Sequence, residues 1–435
     1  QRLEIHCAGR SVAERAAAYG MPAKKVDGND PDAVFEAARE LSEGVRRGEG
    51  PAFLELVTYR MHGHSEQDPQ HYVDPAELEE WEKKDPIQRY TRELLAEGVL
   101  SQEEVDAMRR EAEAEVEDAV AFARNSPDPP AEGVLENVWS RESAVPEGDG
   151  PGVEDAERPP RELFGGQAVN EALTLAMEAD DRVFVAGEGV GVSIHPNPMG
   201  ATSGLLERFG KERVRDTPVS EAAIAGLGVG AATVGLLPVV EIMFFPFITL
   251  ASDMLLNHAA KLRYLSGGRT GVPLTVRVKA GVGFQAGCQH SHNLEAWMAH
   301  TPGLKVVFPS NPRDLKGLLL SAIFDPDPVL VVEELGLYRM KGLVPEGDVR
   351  VPLGRAARVR EGSDVTVAAY GGAVGRAMEA AQRLEEEGVS VEVVDLRSLV
   401  PLDTETLLAS VARTRRFVMV HDATRFCGYG AEVAA

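Results

Sequence analysis

The sequence predicts an α/β fold, with parallel sheets flanked by helices, on three observations. Beyond residue 160, helical and extended patterns alternate: Val169–Met177 reads as a helix, Arg182–Ala186 as a strand, and VVEIMFF (239–245) and PLTVRV (273–278) as further buried strands. From Ser363 a βαβαβ pattern runs on: DVTVAAY, a Gly-Gly turn, a helix through Leu384, the strand SVEVVDL, another helix and RFVMVHD. Near the start, PAFLELVTY (51–59) is apolar enough for a buried strand and runs into the loop RMHGHSEQDP. Alternation of this kind builds parallel sheets covered by helices, and chemistry collects at the strand ends.

The elements between these anchors can be justified from local chemistry. From Asp74 to about Ala123 the pattern is helical and heavily charged, which predicts a solvated helical cover; Ser101-Gln102-Glu103-Glu104 is a capping box that starts one of its helices. SPDPPAEG and the stretch at 140–160, SRESAVPEGDGPGVEDAERPP, are rich in Pro, Gly and acid without periodicity and read as linker. The chain opens at Gln1 without the basic start and apolar run of a secretory signal, and ends at AEVAA soon after a third strand. Both ends read as truncated.

Composition narrows the function classes. A length of 435 residues leaves room for about three globular units. Lys+Arg 45 against Asp+Glu 69 gives a net charge of −24, a field that disfavours nucleic acid and anionic lipid. Cys7, Cys288 and Cys427 lie far apart, so neither a disulfide framework nor a zinc site is indicated and a reducing, cytoplasmic setting is expected. The longest apolar stretch, Val239 to Ala260, is broken by Glu241, Pro246 and Asp253, and does not suit the crossing of about 30 Å of hydrocarbon.

Several residues are candidates for chemistry. Glu221 comes after Pro218 and Ser220 at the head of a helix built almost wholly of Ala, Gly, Val and Ile, a helix that must be buried and closely packed. There it either complements the helix dipole or is a buried carboxylate exchanging a proton with a ligand nitrogen. His62 and His64 share a glycine-containing loop with Arg60, whose planar fork suits phosphate oxygens. His290 lies in the loop GCQHSH after a buried strand, and Phe244, Phe245 and Phe247 are core by default, yet a ring at a strand end can stack on a flat heterocycle. Gly371-Gly372-Ala373-Val374-Gly375 with Asp395 has the outline of a dinucleotide fingerprint, but Tyr370 replaces its first glycine; Gly148-Asp149-Gly150 lies in the linker and reads as spacer.

Jointly, GPAFLELVTYRMHGHSEQDP, WEKKDPI, DTPVSEAAIAGLGVGAA, QHSHNLEAWMAHTPGLKVVFPSNPRDLKGLL and VVDLRSLVPLD resemble, in order and over nearly the whole chain, the thiamine-diphosphate-dependent decarboxylating component of 2-oxo acid dehydrogenase complexes. The resemblance implies parts of its α and β subunits fused in one chain. Residues 1–140 are similar to the C-terminal part of the α subunit, 141–160 form the linker, 161–345 resemble the β-type pyrimidine-binding domain of the thiamine-diphosphate-binding fold, and 346–435 an incomplete transketolase C-terminal-like domain.

The function this resemblance implies is that of an oxidoreductase that decarboxylates a branched-chain 2-oxo acid or pyruvate and passes the acyl group to the lipoyl group of a dihydrolipoyl acyltransferase partner. It implies self-association into a dimer of fused chains or an α2β2-like assembly. Glu221 would hydrogen-bond the aminopyrimidine nitrogen and promote deprotonation of the thiazolium carbon. His64 would lie near the diphosphate and the reacting centre, Arg60 would hold diphosphate oxygens, His290 would transfer protons, Phe247 would stack on the pyrimidine and Glu188 would line the cofactor channel. A potassium ion would use the carbonyls of Leu274, Ala322 and Ile323 with Asp325 and Asp327, whereas the magnesium motif is expected outside this chain. Two departures stand out: Lys279-Ala280 where the family usually has Gly-Pro, and a lengthened GEGVGVSIHPNPMG loop. Acetoin dehydrogenase, a transketolase-like carboligase and a catalytically idle assembly chain remain the alternatives.

Overall fold

Two compact units divide the chain at Pro129/Pro130; the computed structural model describes residues 11–63, 65, 67–140, 160–191, 200–281 and 287–435. In the first unit, β1 (Ala23–Asp27) and β2 (Phe53–Val57) pair in parallel, and helix α1 (Pro31–Arg46) crosses between them. Asp30 caps α1 by accepting from the Ala33 amide at 3.0 Å, with Pro31 pre-set for the first turn. The helices Pro75–Glu82 and Pro86–Ala96 repeat that device with Asp74 and Asp85. Ser101 and Glu104 form the expected capping box for α2 (Gln102–Asn125). Of α2 only Val105 is buried, so this helix is solvated as its charge predicts. The strand expected at 51–59 is shorter and mostly half-buried, and among the described residues it pairs on one side alone.

The second unit begins earlier than the composition suggests. Ser140 donates its amide to Asp327 at 2.8 Å, and the Trp139 ring lies under the Lys305 ammonium, so residues 130–140 pack with the second unit. In its main sheet β4 (Val183–Gly187), β5 (Val214–Asp216), β6 (Leu237–Ile242), β7 (Thr275–Ala280), β8 (Lys305–Val307) and β9 (Val329–Glu334) run parallel, and β14 (Ser398–Val400) lies antiparallel at the edge. Their order across the sheet is β14-β8-β9-β7-β6-β4-β5. Helices α3 (Gly165–Ala179) and α5 (Pro312–Ile323) cover one face. The other is covered by α4 (Glu221–Thr233) and the helical run Ile248–Ala259. Covering on both faces is why the central strands are nearly continuous apolar runs. The strand β9 has the same character, although its apolar run is not among those singled out from the sequence.

A short ribbon of β3 (Arg161–Phe164) and β10 (Lys341–Val344) ties the two ends of this region together. Beyond it, β11 (Ala357–Arg360), β13 (Val391–Asp395), β12 (Val365–Ala369) and β15 (Phe417–Val420) form a second sheet in that order, with β12, β13 and β15 parallel as the βαβαβ pattern predicts. At its Gly371-Gly372 turn the Gly372 amide donates to Glu334 at 2.5 Å. One backbone donor of the turn is therefore already used by a carboxylate.

Helix α4 departs from expectation. Ile224, Ala225, Gly228 and Ala232 face the sheet, but Ala222, Ala223 and Leu227 point outward, and the flanking Val219 and Val234 are 76% and 78% exposed. An apolar helix open on one side leaves a surface that water does not favour.

At the seam of the two sheets, Asp314 holds Arg397 by two bonds of 2.8 and 2.9 Å, and beside them Asp395 accepts from the Ser310 hydroxyl and the Arg397 amide. Burial, then the negative charge of Asp314, pushes the Asp395 carboxyl up to about 7. A carboxyl whose folded value lies above its unfolded one binds more protons when folded, so stability falls as pH rises between those values. Asp395→Asn removes that charge while its amide oxygen still accepts from the Arg397 amide and its NH2 donates to the Ser310 hydroxyl oxygen, the reverse of the present bond. Its stability relative to the parent is expected to improve by on the order of 4 kcal/mol between about pH 4 and pH 8. Urea midpoints across that range check this; a parallel pair of curves would show that Asp395 does not titrate there.

Candidate functional site

The residues singled out in the second unit gather where parallel strands end. The strand β4 delivers Glu188, β5 leads through Thr217 to Glu221, β6 leads to Phe244 and Phe247, and β7 leads to Gly281 and, beyond it, His290. In a parallel sheet the carboxyl ends share one edge, so topology alone brings these groups to one side.

Glu221 is the first residue of α4 and only 6% exposed. The chain leaves β5 and enters α4 directly after Ser220, whose side chain makes no capping bond, and the small side chains of α4 let it lie close on the sheet; a Cβ on Gly228 would press into Leu274. Among the described residues no hydrogen bond or ion pair satisfies the Glu221 carboxylate. Glu188 is half-buried and its Oε1 is buried without a partner. Burial, then the negative charges of Glu221 and Glu241, raise the Glu188 carboxyl above its usual range, and Lys279 pulls it the other way. Thr217, whose amide donates to the Gly187 carbonyl at 3.0 Å, also has a buried hydroxyl with no partner. Polar atoms left unsatisfied in this way mark a place for a polar ligand or water.

The aromatic side of this edge is formed by Phe244, Phe247 and His290. His290 meets both rings edge-on, with centroids 5.0 Å from Phe244 and 5.2 Å from Phe247. Instead of a loop, the structure places His290 in one helical turn, Cys288–Ser291. That turn packs so tightly on Gly281 that a Cβ there would collide with the His290 carbonyl.

A network that sequence reasoning missed lies behind the acids. Arg277 on β7 is fully buried, donates to both oxygens of Glu333 at 2.7 and 2.8 Å and to Glu241 at 2.7 Å, and also meets the Tyr338 hydroxyl at 2.9 Å. Lys279 adds a second cation, 2.5 Å from the other Glu241 oxygen. Burial alone would raise the Glu241 carboxyl; the charges of Lys279 and Arg277 outweigh it and hold it at about 2. The available signal was a charged residue inside each of three apolar strand runs.

Arg60 is exposed in the loop after β2 in the first unit, near Tyr72, whose hydroxyl donates to Asp68 at 2.7 Å. His64 lies outside the described residues, as do most of the linker and the middle of the GEGVGVSIHPNPMG loop. Of the residues expected around potassium, Asp325 binds Lys305 at 2.6 Å and Asp327 binds Arg263 at 2.5 Å, while the Leu274 and Ala322 carbonyls accept from the Val329 and Asp325 amides. Among the described residues no group of three or more His, Cys, Asp or Glu is arranged to hold a metal ion, and no helix is long and apolar enough to cross a membrane.

Three family models match the chain in succession: the dehydrogenase E1 component over residues 4–132, the transketolase pyrimidine-binding domain over 164–341 and the transketolase C-terminal domain over 354–435. The β subunit of acetoin:2,6-dichlorophenolindophenol oxidoreductase from Bacillus subtilis is 45% identical over 63% of this chain and 83% of its own length. The 2-oxoisovalerate dehydrogenase β subunit of the same organism is 45% identical over 62% and 82%, and the pyruvate dehydrogenase E1 β subunit of Staphylococcus epidermidis 44% identical over 62% and 82%. Among solved structures, a split-gene transketolase in an inactive β4 tetramer is similar, with a TM-score of 0.51 and 26% identity over 62% of this chain and 83% of that one.

Proposed function

Because this chain belongs to the E1 component family of thiamine-diphosphate-dependent 2-oxo acid and acetoin dehydrogenases, we propose that it decarboxylates a branched-chain 2-oxo acid or pyruvate and passes the acyl group to a lipoyl group of an acyltransferase partner. The observation that carries this reading is the buried Glu221 at the head of α4, beside a Glu188 oxygen and a Thr217 hydroxyl that lack partners. Such an edge suits a flat ring carrying both donor and acceptor nitrogens. Thiamine diphosphate, when bound, supplies an electron sink for the bond broken as carbon dioxide leaves.

The chain's own residues have separable tasks in this reading. Glu221 would hold and move the proton at the pyrimidine ring nitrogen, with Phe247 offering its ring to the same heterocycle. Glu188 would line the channel, and His290, kept in place by Phe244 and Phe247, would transfer protons to and from substrate. Arg60 would hold diphosphate oxygens, and His64 would act near the diphosphate and the reacting centre. The outward apolar face of α4 supports self-association, since Val219, Leu227 and Val234 gain most by being covered.

The similarity does not choose the substrate: acetoin, 2-oxoisovalerate and pyruvate relatives stand at 45%, 45% and 44% identity. One methylene in an apolar pocket separates substrates by only about 1–3 kcal/mol. The test uses the product of the complete reading frame with thiamine diphosphate, magnesium, a panel of 2-oxo acids, acetoin and a dye acceptor. Carbon dioxide release coupled to dye reduction is expected with a branched-chain oxo acid or pyruvate. Dye reduction with acetoin alone, carboligation without dye reduction, or bound cofactor without turnover would each overturn the assignment.

A further inference from the structure

The two sheets of the second unit meet at the segment that carries His290. The strand β12 ends at Ala369 and is followed by Tyr370; β15 ends at Val420 and leads to His421 and Asp422. From these carboxyl ends two hydrogen bonds reach the residues just after the His290 turn. The Tyr370 hydroxyl donates to Glu295 Oε1 at 2.7 Å, and Asn293 Nδ2 donates to the Asp422 carbonyl at 2.9 Å. Glu295 and Tyr370 are 1% and 3% exposed, so neither can exchange its partner for bulk water. Near them Ser291 Oγ, Asn293 Oδ1, Glu295 Oε2 and His421 Nδ1 are buried without a partner among the described residues, so much rests on the two bonds that are made.

Tyr370 is itself held firmly. Its ring lies 5.2 Å from Phe308, 5.9 Å from His421, to which it is nearly parallel, and 6.1 Å from Tyr429. It is also the residue that breaks the glycine fingerprint in the sequence, at a place where glycine would offer no hydroxyl. His290, by contrast, is carried by one helical turn, and a single turn does not hold its own shape because helix nucleation is costly. Gly281 and the rings of Phe244 and Phe247 hold that turn from the first sheet. Resting on the proposed function, we infer that Tyr370 is a positioning residue for His290: through Glu295, and together with the Asp422 carbonyl on Asn293, it ties the chain leaving the turn to the second sheet and so keeps the imidazole against Phe244 and Phe247. Without the hydroxyl, Glu295 is buried with no described partner; the chain must then shift toward water and draw His290 off the two rings.

The test reads His290 in the cofactor-free protein, by NMR of the chain with isotope-labelled histidine. Its resonance is the one missing from His290→Gln, and the two edge-on rings displace it from the position of a free imidazole. In Tyr370→Phe, which keeps the ring and removes only the hydroxyl, this signal is expected to move toward the free position. Glu295→Leu should do the same, whereas Glu295→Gln, whose amide oxygen still accepts from Tyr370, should keep the parent signal. If Tyr370→Phe does not fold, Asn293→Ala, which cuts the other bond, is read in its place and should move the signal likewise. In the loaded enzyme Tyr370→Phe should lower kcat by up to about 10²-fold, the range for a displacement on the order of 1 Å, with KM changed far less. A folded Tyr370→Phe protein with the parent His290 signal overturns the role of Tyr370, and so does a Glu295→Gln protein that loses that signal or a loss confined to KM. Absence of turnover in the parent protein counts against the proposed function instead, since the NMR measurement needs neither cofactor nor substrate.

Discussion

Replacing Glu221 with glutamine is expected to slow exchange of the thiazolium C2 proton of bound thiamine diphosphate by about 10²–10⁴-fold, the range for losing a positioned acid–base group. The fold should survive. Glutamine has nearly the same shape and can still hydrogen-bond a ring nitrogen through its amide, and loss of one negative charge at a helix N-terminus costs only about 0.3–1 kcal/mol. Removing that charge also relieves Glu188 of the like charge that acts on it most strongly. Cofactor affinity is therefore expected to change by no more than a few fold, while the proton step fails because an amide cannot give up and regain a proton. Glu221→Asp sharpens the comparison: it keeps the charge but withdraws it by one methylene from the head of α4, and should fall between the two. Deuterium exchange at C2, followed by quenched NMR, separates these outcomes from simple loss of binding. Exchange as fast in Glu221→Gln as in the parent would remove Glu221 from the chemistry.

Glu221 was legible because its signal is local: a Pro-x-Ser-Glu entry before a run of small apolar residues can be recognised within a dozen positions. The parallel strands β4, β6 and β7 were legible for the same reason, since covering on both faces writes continuous apolar runs. The outward face of α4 was not, because Ala and Gly at nearly every position leave no polar stripe to mark which side lies open. The turn holding His290 spans four residues, too few to establish a helical period, so its sequence reads as loop. Residues 130–140 read as part of the first unit because composition reports where a chain is polar and not which surface Trp139 and Ser140 meet. The charged network is the clearest case. Arg277, Glu241 and Glu333 each look like a flaw in an apolar strand, and their partners lie 36 and 56 residues away. Only the strand order β9-β7-β6, which no local window contains, turns three flaws into one structure.

Arg277→Leu is expected to destabilise the second unit by about 3–5 kcal/mol, the cost of removing one partner from a buried charge pair. The guanidinium is entirely out of water and forms the only described ion pair of Glu333, so its loss leaves a buried carboxylate with the Tyr338 hydroxyl alone. Glu241 fares better, since Lys279 still holds its other oxygen. This asymmetry makes the prediction specific. Arg277→Leu combined with Glu333→Leu removes the stranded charge along with its partner and leaves the Lys279–Glu241 pair intact, so the double variant should be more stable than the single one despite carrying two changes. Combining Arg277→Leu with Glu241→Leu strands both Lys279 and Glu333 and should be worse than either. Urea unfolding of the three variants, monitored by tryptophan fluorescence and far-UV circular dichroism, gives the order. If the Glu333 double variant proves less stable than Arg277→Leu, the cost is one of packing volume, and the buried carboxylate is not what Arg277 is there to hold.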